Sequence, residues 1–339
     1  MKLLKHYRLV LSLFLGLVAA LPAQALDLKL ATLAPDGTSW MQEMRKGAEE
    51  INRRTEGRVN IKFYPGGSMG SDRIVLRKIR AGQLHGGALT GGALGDIHSD
   101  LQIYSLPFLF RSIDELDYVR ARMDKALAQS LDKNGFVTFG FSDGGFAYMM
   151  SSNPLRKVDD LKAQKVWIPE GDDISRALFE NLGISPVPLP LTDVLTGLQT
   201  GLITTTASPA IGAITLQWHT RVKYLTDAPT SYIFGALAID KKAFSKISPS
   251  DQGVVRSVME KIFVEFNRLN RLDEQGARQA LKKQGIEFII LPPEELAKLD
   301  RAAHDANERL GQKNVFNLAT LRTVQGHLET YRRKPGTAR

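Results

Sequence analysis

Twice along this chain an apolar, strand-like stretch gives way to a helical one, and that repetition is what most limits the folds open to it. D-L-K-L-A-T-L (27–33) alternates polar and apolar side chains as a half-buried strand does, and Ser39 to Thr55 follows with Met41, Met44, Ala48 and Ile51 at helical spacing. R-V-N-I-K-F-Y (58–64) predicts a second strand, a helix capped by Ser71 ends near Gly82, and L-H-G-G-A-L-T (84–90) predicts a third strand. After the turn residues S-S-N-P (151–154) the alternation resumes. A strand starts at Val166, then come a helix at 173–182, I-S-P-V-P (184–188), a helix at 192–200 and L-I-T-T-T (202–206). Strands alternating with helices predict an α/β architecture with largely parallel pairing. Two successive units of this kind predict two lobes.

Y-I-F-G-A-L-A-I (232–239) predicts a strand returning to the first lobe. Ser248-Pro249-Ser250-Asp251 then combines a cap, a proline at the first helical position and an acid two residues on, opening a long helix. Its predicted apolar face is Val255, Val258, Ile262, Phe266, Leu269 and Leu272. Helical stretches near 293–310 and 314–331 follow. The expected organisation is lobe I from 26–149 with 235–290, lobe II from 150–234, and 291–339 as C-terminal helices packing across both.

The amino end speaks to compartment. Lys2, Lys5 and Arg8 precede the apolar run Leu9 to Ala20, and Ala23-Gln24-Ala25 gives the A-x-A pattern of a leader cleaved after Ala25. The run is short for a membrane span. These residues predict an exported, periplasmic protein with a signal peptide at 1–25. Export would remove three basic residues and bring the formal charge from +9 to about +6. Lys and Arg are interspersed with acids, without the basic stripe that nucleic acid requires. The chain has no cysteine, which excludes disulfides and thiolate metal sites.

Several motifs invite chemistry. Gly66-Gly67-Ser68-Met69-Gly70 matches G-x-S-x-G and lies between a strand and a helix, so a secreted serine hydrolase using Ser68 is the alternative to weigh. The plain reading is a tight turn into the next helix. G-G-A-L-T-G-G-A-L-G (86–95) lacks the Gly-Lys-Ser/Thr ending of a phosphate loop. The six histidines are scattered singly, which predicts no metal and no cofactor. K-V-W-I-P-E-G-D-D (165–173) sets an indole beside carboxylates at a strand's end, where ligands of α/β proteins bind.

A-T-L-A-P-D-G-T-S-W (31–40), Y-P-G-G-S-M-G-S-D-R (64–73), L-P-F-L-F (106–110), G-L-Q-T-G (197–201) and V-K-Y-L-T (222–226) occur in one order. In that order the chain resembles the DctP-type solute-binding proteins of tripartite ATP-independent periplasmic (TRAP) transporters, over nearly its whole length after the leader. The resemblance implies a two-lobed periplasmic binding protein-like fold closing over a small-molecule ligand, a monomer that docks on membrane subunits driven by an ion gradient. It also implies that the Gly66–Gly70 turn is not catalytic. The family's principal ligand arginine aligns with Trp167, a second arginine with Ala147, and a ligand asparagine with Ser208. Glu170 stands where a neutral polar residue is usual. The resemblance further aligns Thr90 with a ligand-contacting position, and Asp143 in F-S-D-G-G is a candidate acceptor at the lobe junction. Replacing a guanidinium by an indole removes charge-assisted hydrogen bonds of about 1.5–3 kcal/mol each. The expected site is therefore Trp167 as an aromatic wall, Glu170, Asp143, Ser208 and Thr90 as polar contacts, and Ala147 lining it, for a neutral, polyhydroxylated or cationic ligand; the alternative is a carboxylate held by backbone N–H groups or by another arginine such as Arg176. The plain alternative puts Trp167 in the core, Asp172 and Asp173 at a helix start, and Glu170 in solvent.

Overall fold

The computed structural model describes residues 25–334, so the leader, apart from Ala25, lies outside the described residues. β1 (Leu26–Thr32), α1 (Ser39–Arg54), β2 (Val59–Tyr64), α2 (Asp72–Arg80) and β3 (Gly86–Thr90) succeed one another as the periodicities predict. β1 pairs parallel with β2 on one side and β3 on the other. Thr38 caps α1, its hydroxyl accepting from the Met41 N–H at 3.3 Å. The predicted residues Met41, Met44 and Ile51 are buried on its inner face. α3 (Gly91–Gly95), α4 (Ile113–Lys133), β4 (Phe136–Val137) and β5 (Ser142–Ser151) complete this half.

The second alternation is equally present. β6 (Trp167–Pro169), α5 (Asp173–Asn181), β7 (Val187–Leu189), α6 (Val194–Thr200), β8 (Thr205–Ser208) and α7 (Ala210–Thr215) follow in turn, with β6 and β7 paired parallel in a sheet of their own. The halves are joined by β5 and by β9 (Tyr224–Asp240), whose 17 residues exceed the strand expected at 232–239 and absorb most of V-K-Y-L-T. β9 pairs antiparallel with β3 and β5, and β5 with β8, giving the sheet order β2-β1-β3-β9-β5-β8. The expected lobe limits after 149 and 234 therefore fall inside the two crossing strands.

Behind them come α8 (Lys241–Phe244), α9 (Pro249–Lys283), β10 (Glu287–Ile289), α10 (Pro293–Gln312) and α11 (Leu318–Arg332). α9 begins as predicted, the Ser248 hydroxyl accepting from the Asp251 N–H at 3.2 Å with Pro249 at the first turn. Val255, Val258 and Phe266 are buried, but Leu272, expected on the same face, is 52% exposed. At that turn α9 meets its neighbours through the charged residues Arg271, Asp273 and Glu274, so no apolar surface awaits a leucine. α10 crosses between halves: Leu299 packs with Ile168 and Phe179, while Leu310 packs with Phe316 and the core under β3. Among the described residues no helix is long and apolar enough to cross a membrane.

β3 runs between β1 and β9 with almost no side-chain room at its start. A Cβ on Gly86 would lie 2.6 Å from the Ala238 carbonyl oxygen and 2.9 Å from Leu30 Cδ2. Gly86→Ala should destabilise the chain by about 1–3 kcal/mol through overpacking, read as a lowered midpoint in denaturant titration.

Candidate functional site

The halves approach one another where the segments after β2 and β6 meet. A Cβ on Gly67, in the turn after β2, would lie 3.2 Å from Thr192 Cγ2 of the second half. At the start of α2, Arg73 Nη2 donates to the Gly171 carbonyl at 3.0 Å, while its Nε donates to Asp96 Oδ2 at 3.2 Å. Strand ends of this kind are where α/β proteins hold ligands. The crevice so defined is a candidate solute site.

Its lobe I wall is built around Asp72. This buried carboxylate accepts from both the N–H and the hydroxyl of Thr90, at 3.0 and 2.7 Å. Thr90 stays exposed at the end of β3, with its donor spent and its oxygen still able to accept. Burial pushes the Asp72 carboxyl above its ordinary value, against the lowering effect of the two Thr90 hydrogen bonds. On the lobe II lip Asp172 caps α5, accepting from the Ser175 N–H and hydroxyl at 3.0 and 2.6 Å. Glu170 is exposed; its N–H donates to the Leu189 carbonyl at 3.2 Å, and its carboxylate has no hydrogen-bonding partner among the described residues.

Other expected site residues turn inward. Trp167 is only 5% exposed; its indole N–H donates to the Leu189 carbonyl at 3.0 Å and its ring stands edge-on to Trp218 at 5.3 Å. The expected open aromatic wall is thus corrected: burial against α6 and α7 makes Trp167 part of the lobe II core. Ser208 is buried with its hydroxyl donating to the Pro209 carbonyl at 2.8 Å. Ala147 is buried in β5, its carbonyl accepting from the Thr230 hydroxyl at 3.0 Å. Asp143 is corrected as well. Its carboxylate is clasped by Arg120 at 2.8 Å and Arg271 at 2.6 Å, leaving it to structure rather than to a ligand.

Ser68 is exposed in the turn after β2, and its hydroxyl has no histidine or carboxylate partner among the described residues. Nothing there activates a nucleophile. The turn serves geometry instead, with Gly66, Gly67 and Gly70 at φ of 65°, 71° and 98°, in the left-handed region that favours glycine.

Sequence reasoning did not single out Arg73, although it closes the quoted motif Y-P-G-G-S-M-G-S-D-R. Arg120, Arg271 and Glu274 carried no local signal at all. Glu274 holds the first turn of α7, accepting from the N–H groups of Ala210 and Ile211 at 3.0 and 2.9 Å, and burial raises its carboxyl above the ordinary value.

Residues 30–314 match the model of the bacterial extracellular solute-binding protein, family 7 (DctP). The chain belongs to this family. The C4-dicarboxylate-binding periplasmic protein DctP of Rhodobacter capsulatus is 26% identical, the match covering 89% of this chain and 93% of that one. Among solved structures, the sugar acid binding protein DctPAm from Advenella mimigardefordensis, in complex with galactonate, is similar at a TM-score of 0.83 and 19% identity, over 91% of this chain and 99% of that one. A TRAP periplasmic solute-binding protein from Xanthobacter autotrophicus with bound β-D-galacturonate is similar at a TM-score of 0.81 and 22% identity, over 89% and 99%. The two-lobed fold is thereby established. These relatives are solute-binding proteins, and none of them supports the hydrolase alternative at Ser68.

Two expectations follow for this DctP-family chain. Asp143→Ala should cost about 1–3 kcal/mol, because it removes a carboxylate with 2% exposure from Arg120 and Arg271, which keep Asp124 and Asp117 as partners, and chemical denaturation would measure it. Asp72→Asn keeps an oxygen for Thr90 but removes the charge. The raised carboxyl makes ionised Asp72 costly in the folded state above the ordinary carboxylate range and costless when protonated in acid. The stability of Asp72→Asn relative to the native chain should therefore rise as pH climbs above the ordinary carboxylate range, as thermal midpoints would record.

Proposed function

We propose that this protein captures a hydroxyl-rich or cationic solute between its lobes in the periplasm and delivers it to the membrane subunits of a TRAP transporter. Residues 26–149 with 235–290 act as one jaw, 150–234 as the other, and 291–339 as the brace behind them. The protein works as a monomer and performs no chemistry on its cargo.

One observation carries the ligand class. The seat where the resemblance implies an anion-gripping arginine is filled by Trp167, a buried indole with its only donor already engaged. Several guanidinium groups are paired with carboxylates, Arg73 with Asp96, Arg271 with Asp117 and Asp143, and Arg278 with Asp227, whereas Arg176 of α5 has no carboxylate partner among the described residues. Glu170, by contrast, stands exposed and unpaired at the lip, ready to accept from hydroxyl or ammonium groups and to repel a dicarboxylate. Thr90 supplies a second acceptor from the opposite wall.

Isothermal calorimetry of the native chain against succinate, galactonate, galactitol and choline tests this reading. Binding should favour the polyol or the cation, and Glu170→Ala should weaken it about tenfold or more, as expected for one charge-assisted hydrogen bond. Micromolar or tighter binding of succinate, on the order of −8 kcal/mol, would overturn the proposed class.

A further inference from the structure

Arg73 and Gly171 are fitted to one another. Arg73 lies in the first turn of α2, beside the buried anchor Asp72, so its side chain leaves a fixed point of lobe I. Nε is held by Asp96 at 3.2 Å and Nη2 reaches the Gly171 carbonyl of lobe II at 3.0 Å, while Nη1 has no acceptor among the described residues. Gly171 is constrained twice over. Its φ of 77° lies in the left-handed region, and a Cβ there would overlap the Arg73 guanidinium. The turn after β6 has thus left room for a side chain from the other lobe.

We propose that Arg73 is the positioning residue for closure, a latch that donates across the crevice to Gly171 and holds a closed population before solute arrives. The inference rests on the reading of this crevice as the solute site. The planar guanidinium can hold Asp96 and Gly171 together in one fork, which a lysine ammonium cannot reproduce with the same geometry. With Nη1 turned to no protein acceptor, the same group can donate to an oxygen of the cargo. The bond joins a half-exposed arginine to a carbonyl, so it biases the jaws without locking them.

Because the chain has no cysteine, Gln83→Cys and Glu180→Cys, at exposed positions of the two lobes, take spin labels at those sites alone. Pulsed dipolar measurement on the unliganded full chain should show a shift to longer distances in Arg73→Ala, with the closed fraction falling severalfold. Arg73→Lys should not restore it. Gly171→Ala should open the native background and add nothing to Arg73→Ala, while the thermal midpoint of Arg73→Ala stays within a few degrees of the native value. An unchanged distance distribution in Arg73→Ala, or an effect of Gly171→Ala that is the same with and without Arg73, overturns the latch. Calorimetric failure of the ligand class leaves these distances untouched, so the two readings fail separately.

Discussion

A single carboxylate fixes the crossing of the two lobes. Asp143 sits on β5, the strand that passes from one half to the other, and its oxygens take Arg120 from α4 and Arg271 from α9. Arg120 also holds Asp124 and the Phe141 carbonyl, and Arg271 grips Asp117 through both terminal nitrogens. Burying one acid alone would be costly. Burying it between two guanidinium groups, with Asn267 and Asn270 bonded to its own backbone, turns that cost into a fixed position for the strand. The register of the strand that joins the two halves is set here.

The same economy of charge shapes the crevice. In a family whose relatives include proteins named for, or solved with, organic acids, the position to which the resemblance assigns a ligand arginine is an indole here, packed edge-on to Trp218. What remains in the crevice is acid-rich at the lip, with Glu170 free and Asp172 committed to its helix. An arginine is present all the same, but it enters from lobe I and spends two of its nitrogens on protein oxygens.

Much of this was legible beforehand because the governing signals were local. The strand–helix alternation, the Ser248-Pro249 start of α9 and the capping role of Asp172 each depend on a few neighbouring residues. α4 was not among the expected elements, although Ser112 caps it and Leu116, Val119, Met123, Leu127 and Leu131 recur at helical spacing. The site was harder. Trp167 stands a few residues before the acids of the turn after β6 and so reads like a ligand residue, and only the distant Trp218 and the Leu189 carbonyl reveal that it is core. Asp143 looked like a free acceptor because its partners lie 23 and 128 residues away, a separation that no periodicity records. Leu272 followed the helical stripe faithfully, yet the stripe passes over a polar junction at that turn.

Adjacent residues of α9 serve opposite masters. Asp273 accepts from the Ser39 hydroxyl of lobe I at 3.0 Å, and Glu274, the next residue, holds the Ala210 and Ile211 N–H groups of lobe II. A change in the angle between the jaws must then be absorbed within one peptide step: the helix flexes there, or one of the two grips lets go.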